Sequence, residues 1–229
     1  MYDYKKVEKY YDNYGSWYDQ ERISGYYALI NELETAAVLE HARDKTILEI
    51  GCGTGIILEK TSNIASEAVG IDLSEGMLAA AQKKGLKVQK ANATSLPFRD
   101  NRFDLVYSFK VLAHIPEISQ AISEIVRVVK PEGILILEFY NPYSLKHVTN
   151  SIYNKLKKRR VFLRFDSLAK IKSYLPKNAT IIETRGIKVF SLSPSFFQNK
   201  IFLNLERRLS TSFFKYLAGY FIVTVKIKK

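Results

Sequence analysis

Short apolar runs alternate with helical patterns between residues 46 and 140, and this alternation constrains the fold more than any other feature of the sequence. The runs show little polar alternation, which indicates strands buried on both faces; they cover residues 46–50, 67–72, 86–91, 103–108 and 133–140. Helical patterns lie between them at residues 54–63, 74–84 and 117–129. Strands joined through helices in this order predict an α/β fold with a doubly wound sheet.

The chain ends follow other patterns. Residues 1–45 are predicted to be mostly helical and carry a cluster of aromatic side chains, namely Tyr10, Tyr11, Tyr14, Trp17 and Tyr18. Residues 167–175 predict a helix, and residues 179–190 and 221–229 predict two further strands. Between those strands, residues 191–219 are rich in Phe and Leu and predict a mostly helical insert.

A length of 229 residues fits one domain. We therefore expect a single domain over residues 1–229, made of an N-terminal helical lid (1–45), a core (46–140) and a C-terminal part (141–229). The chain has one cysteine, which rules out an internal disulfide and favours a reducing compartment. The N-terminal residues lack the apolar segment of a signal peptide, so a cytoplasmic protein is the expectation.

A glycine-rich turn follows the first predicted strand. Gly51, Gly53 and Gly55 stand between that strand and the next helical pattern. Glycines there let backbone N–H groups approach a ligand closely, and the start of a helix favours a negative group. The dinucleotide-binding pattern needs another glycine at the position of Ile56, which argues against a nicotinamide cofactor.

Polar side chains also follow the next two strands. Asp72 ends the second, where a carboxylate can accept both hydroxyls of a ribose, and Asn92 follows the third. The carboxyl ends of parallel strands meet at one edge of the sheet, where open α/β sheets bind their ligands. The sequence therefore predicts a ligand that carries a nucleoside.

These segments together resemble the class I S-adenosylmethionine-dependent methyltransferases, in particular the superfamily that acts mostly on small molecules. The resemblance spans roughly residues 45–140 and rests on ILEIGCGTG, GIDLSEGML, NATSLPF, FDLVYSFKVLAHIPE and RVVKPEGILILEF. It implies a Rossmann-like, seven-stranded sheet, mostly parallel with an antiparallel last strand and helices on both faces. It also implies S-adenosyl-L-methionine as the cofactor and methyl transfer as the activity.

The resemblance assigns the cofactor site residue by residue. Asp72 takes the ribose, Leu73 and Met77 lie near the adenine, and Asn92 stands where the family usually has Asp. The glycine turn lies along the methionine moiety, and an N-terminal tyrosine touches the methionine carboxylate. The complete expected set is Tyr14, Tyr18, Glu49, Gly51, Cys52, Gly53, Gly55, Asp72, Leu73, Met77, Asn92, Ala93 and Phe109.

His114 is the candidate catalytic residue, because it follows the fourth strand where substrates lie in this family and a histidine can act as a base near neutral pH. The alternative is a structural role for His114. His41, His114 and His147 are scattered along the sequence, so we expect no metal site. Asn141-Pro142-Tyr143 superficially resembles the Asn-Pro-Pro-Tyr motif of methyltransferases acting on amino nitrogens. It lacks one proline and follows the fifth strand, so it predicts a turn.

The charge is unevenly distributed. The net charge is +12, yet residues 1–140 hold 16 basic and 20 acidic residues, whereas residues 141–229 hold 19 basic and 3 acidic residues. That C-terminal part also holds 14 of the aromatic residues and the basic run at residues 155–160. Basic and aromatic residues together suit an anionic or interfacial partner, including peripheral contact with an anionic membrane surface.

The expected acceptor is a small molecule or a lipid-like molecule. The segment LEFYNP is similar to that of quinone-biosynthesis and phospholipid methyltransferases, which favours a quinone or a phospholipid. One alternative is an RNA (tRNA or rRNA) methyltransferase, which the basic charge favours although no RNA-binding module is recognised. The other is a non-catalytic regulatory protein that binds S-adenosylmethionine. The acceptor atom and the oligomeric state stay open.

Overall fold

Seven strands form one mixed sheet in the computed structural model of the chain, which describes residues 8–12, 18–20, 22, 25–144, 147, 162–189 and 200–228. In chain order the strands are β1 (Thr46–Ile50), β2 (Glu67–Asp72), β3 (Val88–Lys90), β4 (Phe103–Ser108), β5 (Val129–Tyr140), β6 (Ala179–Ile187) and β7 (Tyr220–Ile227). Tyr14, Trp17, the basic run at residues 155–160 and residues 191–199 of the expected insert lie outside the described residues.

The spatial order of the strands is β3-β2-β1-β4-β5-β7-β6. The first five are parallel, since β1 pairs in parallel with both β2 and β4, β2 with β3, and β4 with β5. Strand β7 lies between β5 and β6 and runs antiparallel to both. This arrangement confirms the predicted Rossmann-like sheet with an antiparallel last strand.

Helices cover both faces of the sheet. They are α1 (Gly25–Ala42), α2 (Ile56–Ser62), α3 (Glu75–Lys83), α4 (Ile118–Val128), α5 (Leu168–Tyr174) and α6 (Lys200–Thr211). Two apolar clusters form the core, one on each face: α4 and α5 pack into the first, and α1 and α2 pack into the second. Ser74 caps α3, because its Oγ accepts a hydrogen bond from Met77 N at 3.1 Å. None of the described helices is both long and apolar enough to cross a membrane.

One boundary differs from the sequence prediction. The fifth strand was expected to begin at Gly133, but β5 begins at Val129. Between the pairs Phe103↔Val129 and Leu105↔Ile134 the register shifts, so a bulge takes up the residues around Pro131. A bulge tolerates a proline that donates no hydrogen bond, and Glu132 adopts a positive φ of 62° there.

Two other strands, β3 and β6, are shorter than the sequence predicts. The third strand covers three residues, because the segment before Val88 leaves α3 through a glycine turn at Gly85 with φ 77°. Strand β6 ends at Ile187, after which Lys188 turns with φ 66°. The order of the strands brings the ends of β1, β2, β4 and β5 together at one edge of the sheet.

Candidate functional site

A cavity of about 330 Å³ opens at the carboxyl edge of the parallel strands. Many of the residues predicted for the site line it: Tyr18, Gly51, Gly53, Asp72, Leu73, Met77, Asn92, Ala93, Phe109 and His114. Glu49, Cys52 and Gly55, which were predicted with them, lie outside the lining. Tyr14 lies outside the described residues. The volume is within the range of small-molecule sites.

The glycine turn is folded over the end of β2. Gly51 N and Cys52 N both donate to Ile71 O, at 2.7 and 2.9 Å. Gly51 has φ 72°, and a Cβ there would lie 2.0 Å from Val111 Cγ2, so no side chain fits. At Gly53 a Cβ would meet only Met77 Sδ, at 3.9 Å, so the space above this backbone is open. The turn therefore forms a cradle that a ligand can fill.

Asp72 is fixed beside this cradle by two backbone groups. Its Oδ2 accepts from Gly53 N and its Oδ1 accepts from Ser74 N, both at 2.9 Å. Burial raises the pKa of the Asp72 carboxyl, although the backbone donors act in the opposite direction. Each carboxylate oxygen has more than one acceptor position, so both can still accept a ligand hydroxyl. A carboxylate held in this way can accept hydrogen bonds from two neighbouring hydroxyls.

Asn92 follows β3 at the same edge of the cavity. Its Oδ1 accepts from Thr94 N at 3.0 Å, which fixes the orientation of the side-chain amide. The two N–H groups on Nδ2 then remain as donors at the cavity wall. Such donors suit a ring nitrogen of a base, whereas the aspartate usual at this position can only accept when ionised.

The N-terminal segment is tied to the core by acidic side chains that the sequence reasoning missed. Ser74 Oγ donates to Asp12 Oδ1 at 2.6 Å, and Gly76 N donates to the same oxygen at 3.1 Å. Thr54 Oγ1 donates to Asp19 Oδ1 at 2.5 Å, and Lys84 Nζ lies 2.8 Å from Asp19 Oδ2. These bonds anchor the described part of the segment, in which Tyr10, Tyr11 and Tyr18 line the cavity.

Arg22 is a second residue that sequence reasoning missed. It lines the cavity, and its guanidinium carbon lies 4.6 Å from the ring centre of Tyr18 and 5.1 Å from that of Tyr27. Its Nη1 is buried and has no hydrogen-bond partner in the described part of the chain. A buried guanidinium with an unused donor suits a carboxylate or another anion inside the cavity.

Lys110 lines the cavity and contacts two buried carboxyls that lie outside the lining, Glu34 and Glu138. Lys110 Nζ lies 2.5 Å from Glu34 Oε2, and Lys110 N donates to Glu138 Oε1 at 3.1 Å. Glu34 Oε1 and Glu138 Oε2 have no hydrogen-bond partner among the residues that the structure describes. Burial, with Glu34 close by, raises the pKa of Glu138 to about 8. One lysine cation therefore faces two carboxyls, and charge balance requires a proton on one of them.

Glu49 lies beneath the glycine turn instead of in the cavity wall. It is buried on β1 and accepts from Tyr107 Oη at 3.0 Å. Burial raises the pKa of Glu49 to about 8. Cys52 is buried next to Gly70, and burial raises the pKa of its thiol well above the ordinary value. Both residues support the turn from below.

His114 lies on the opposite side of the cavity from Asn92's strand, at the end of a short 3-10 turn after β4 (Leu112–His114). Its Nδ1 is 3.2 Å from Phe162 O. A carbonyl only accepts, so this nitrogen carries the hydrogen, and in the neutral ring Nε2 is the acceptor. Burial lowers the pKa of His114, which keeps the ring neutral at physiological pH. A proton acceptor is thus available beside the cavity.

Aromatic and basic side chains form the remaining wall. Tyr140 and Tyr220 pack with ring centres 4.6 Å apart, and Tyr27, Lys110 and Lys188 complete this side. Within the described ranges, no group of three or more His, Cys, Asp or Glu side chains could hold a metal ion. The wall suits a flat or apolar molecule that carries a negative group.

Parts of this chain are similar in sequence to known proteins. Residues 48–137 match a family described as a methyltransferase domain. Over 164 residues the chain is 32% identical to an uncharacterised protein of Methanocaldococcus jannaschii, covering 67% of this chain and 62% of that protein. Over 114 residues it is 39% identical to the demethylmenaquinone methyltransferase of Lactiplantibacillus plantarum, covering 45% and 48%. The chain thus matches less than two thirds of the length of either relative.

A solved structure extends the likeness to the whole fold. A crystal structure from Thermotoga maritima, of a SAM-dependent methyltransferase described as a possible histamine N-methyltransferase, superposes with a TM-score of 0.71. The sequences are 21% identical, and the superposition covers 94% of this chain and 98% of the other. The family match at residues 48–137 contains the glycine turn, Asp72 and His114. Residues 48–137 are therefore similar to a methyltransferase domain, and the chain shares the fold of a known SAM-dependent methyltransferase.

Proposed function

We propose that this protein transfers a methyl group from S-adenosylmethionine to a small-molecule or lipid-like acceptor. The observation that carries the proposal is one cavity lined both by the Gly53–Asp72 cradle and by His114 with its aromatic neighbours. The cofactor, when bound, supplies an electrophilic methyl group. The chain itself binds, orients and shields the two reactants, which is the main source of rate in such a transfer.

The residues that would hold the cofactor follow from the polar groups of the cavity. Asp72 accepts the two ribose hydroxyls, and the open backbone of Gly53 accommodates the methionine moiety. Arg22 offers its unused guanidinium donors to the methionine carboxylate. The Nδ2 donors of Asn92 face the adenine, and Met77 packs against it. Of these residues, Arg22 was absent from the set implied by sequence resemblance.

The acceptor side supports a lipid-like molecule more than a free sugar or an amino acid. Its wall combines the packed rings of Tyr140 and Tyr220 with Lys188, while the Lys110 cation is already paired with Glu34. Such a wall fits a flat ring or an apolar chain next to an anionic or phenolic oxygen. The name of one curated relative, demethylmenaquinone methyltransferase, points in the same direction.

His114 serves as the proton acceptor when the acceptor is a neutral hydroxyl or amine. Replacing His114 by asparagine is then expected to lower kcat by about 10²–10⁴-fold, because general-base catalysis contributes that much. Since burial lowers the pKa of His114, the wild-type rate should fall only below pH 6.5, as the ring takes up a proton. The measurement is kcat as a function of pH, with the acceptor that the methyl-labelling experiment described below identifies.

The matched control for that variant is His41→Asn, which changes a histidine near the end of α1, away from the cavity lining. It should keep both kcat and the acidic limb of the profile. If His114→Asn also keeps both, His114 has a structural role, and the acceptor needs no base from the protein.

Methyl-labelled S-adenosylmethionine tests the function itself. The full chain is incubated with the labelled cofactor and with separated lipid, small-metabolite and RNA fractions, and each fraction is counted. We expect label in the lipid or small-metabolite fraction, and none with the Asp72→Ala variant. Label confined to RNA would establish the RNA methyltransferase alternative. Cofactor binding in calorimetry with no label in any fraction would establish a non-catalytic binding protein.

A further inference from the structure

A 3-10 turn before β7 exposes a row of large apolar side chains; the turn is Phe213–Leu217, called here the aromatic turn. Phe213 is 79% exposed, Phe214 50%, Tyr216 43% and Leu217 49%. The remaining residue of the turn is Lys215. Four large apolar groups within five residues are costly to expose to water, and exposed patches of this kind mark interaction surfaces.

The turn is held in place by side-chain hydrogen bonds of Asn141 and Ser212. Asn141 Nδ2 donates to Tyr216 O at 2.9 Å and to Ala218 O at 2.8 Å, and Asn141 itself is fully buried. Ser212 Oγ accepts from Phe214 N at 3.2 Å at the start of the turn. A Cβ at Gly186 would lie 2.6 Å from Lys215 Cα, so the turn packs tightly on β6. These hydrogen bonds and the packing on β6 form a support that holds the turn with its apolar side chains facing outward.

That support joins the aromatic turn to the proposed acceptor side of the cavity. Asn141 directly follows Tyr140, and Tyr220 begins β7 soon after the turn; both tyrosines line the cavity. In the turn after β5, Tyr143 is also exposed, and its N–H donates to Asn141 Oδ1 at 3.0 Å. The exposed apolar groups thus lie at the edge of the sheet where the cavity opens.

The charge around the aromatic turn is basic. Lys215 belongs to the turn and Arg208 is exposed on the preceding helix α6. Between residues 200 and 228 the sequence holds a single acidic residue, Glu206, which is buried and accepts from Val189 N at 2.7 Å. Exposed aromatic groups with Lys215 and Arg208 beside them are complementary to an anionic lipid surface.

We propose that the aromatic turn docks on the surface of an anionic lipid bilayer, with its apolar side chains inserted among the lipids and Lys215 at the headgroups. Docking in this orientation brings the cavity mouth to the bilayer, so an amphiphilic acceptor reaches Tyr140 and Tyr220 without crossing water. The lipid surface is inferred from the turn alone, whereas the route of the acceptor rests on the proposed function.

Vesicle co-sedimentation of the full chain without cofactor tests the docking. Vesicles of phosphatidylcholine with phosphatidylglycerol are compared with vesicles of phosphatidylcholine alone. We expect binding to the anionic vesicles that weakens as salt rises. Phe213→Ser/Phe214→Ser should weaken it at least about tenfold, because two inserted rings are lost. Lys215→Ala should weaken it less and reduce the salt dependence.

Ile182→Ser is the matched control, since Ile182 is 53% exposed in the middle of β6 and lies outside the aromatic turn. It should bind vesicles like the wild type. The proposal is overturned if the wild type does not bind anionic vesicles at low salt, or if Ile182→Ser loses as much binding as the double variant. It is also overturned if the wild type forms a concentration-dependent dimer that the double variant does not form, because a second copy of the chain would then cover the turn.

The two proposals fail in different experiments. Vesicle binding needs neither cofactor nor turnover, so its loss leaves the label-transfer result unaffected. Conversely, an inactive chain that still binds anionic vesicles overturns the methyl transfer and keeps the docking. Cofactor binding by calorimetry should be unchanged in Phe213→Ser/Phe214→Ser, which also shows that this variant is folded.

Discussion

Asp72→Ala should abolish measurable binding of S-adenosylmethionine. In the proposed complex the Asp72 carboxylate accepts two ribose hydroxyls, and a hydrogen bond to a charged group contributes about 1.5–3 kcal/mol. Losing two such bonds corresponds to a dissociation constant raised on the order of 100-fold or more. The variant also leaves Gly53 N and Ser74 N without their acceptor, so the glycine turn loses its fixed shape. Isothermal titration calorimetry measures the change.

Two further variants separate binding from folding. Asp72→Asn keeps one acceptor oxygen and nearly the same volume, so its affinity should lie between those of the wild type and the alanine variant. Asp100→Ala removes an exposed carboxylate whose partner is Arg127, 2.8 Å away, and should leave the affinity unchanged. Unchanged affinity in a folded Asp72→Ala protein would contradict the ribose assignment and, with it, the position of the cofactor.

The core of the fold was predictable because its signals are local. Each buried parallel strand appears as a short apolar run, and Gly51, Gly53 and Asp72 stand directly after such runs. Parallel pairing then brings the carboxyl ends of these strands to one edge of the sheet, independently of the conformation of the loops. The structure confirms the predicted sheet, and its strand order brings Gly51, Gly53, Asp72 and Ala93 to one cavity.

The N-terminal contacts carry no such local signal. Asp12 and Asp19 reach Ser74 and Thr54 across more than 30 positions of sequence, and nothing in their spacing points to those partners. The sequence did single out the tyrosines of this segment, but Arg22, which follows them, gave no pattern of its own. An arginine on an aromatic-rich helix is ordinarily a solvated residue, so burial decides its role, and burial follows from tertiary packing.

The buried charges show the same limit. Glu34 lies on α1, Lys110 follows β4 and Glu138 lies on β5, so three separate elements must pack before the groups meet. In the sequence, Glu138 stands in an apolar run as a polar residue that could face a substrate or end the strand. The structure places it behind the cavity wall, with Lys110 between it and the ligand space.

The stability of the ligand-free protein should fall as pH rises from about 5 to 8. The folded pKa values of Glu49 and Glu138 are raised to about 8, whereas an unfolded glutamate titrates near 4.3. Between those values the folded state binds more protons than the unfolded state, so the free energy of unfolding decreases as pH increases. Each such group changes it by up to about 1.4 kcal/mol per pH unit. His114, whose pKa is lowered by burial, acts in the opposite direction below pH 6.5.

Glu138→Gln isolates one of the two carboxyls. Glutamine resembles the protonated acid in size and, like it, is uncharged. Lys110 and Glu34 therefore keep their ion pair, and the variant should match the wild type near pH 5. At pH 8, where the wild type must ionise a buried carboxyl, the variant should be the more stable. Urea unfolding at pH 5, 6, 7 and 8 measures the difference, with Glu59→Gln at an exposed position as the control. A wild-type stability that is constant from pH 6.5 to 8 would mean that Glu138 is already ionised, and Lys110 would then have to balance both carboxylates.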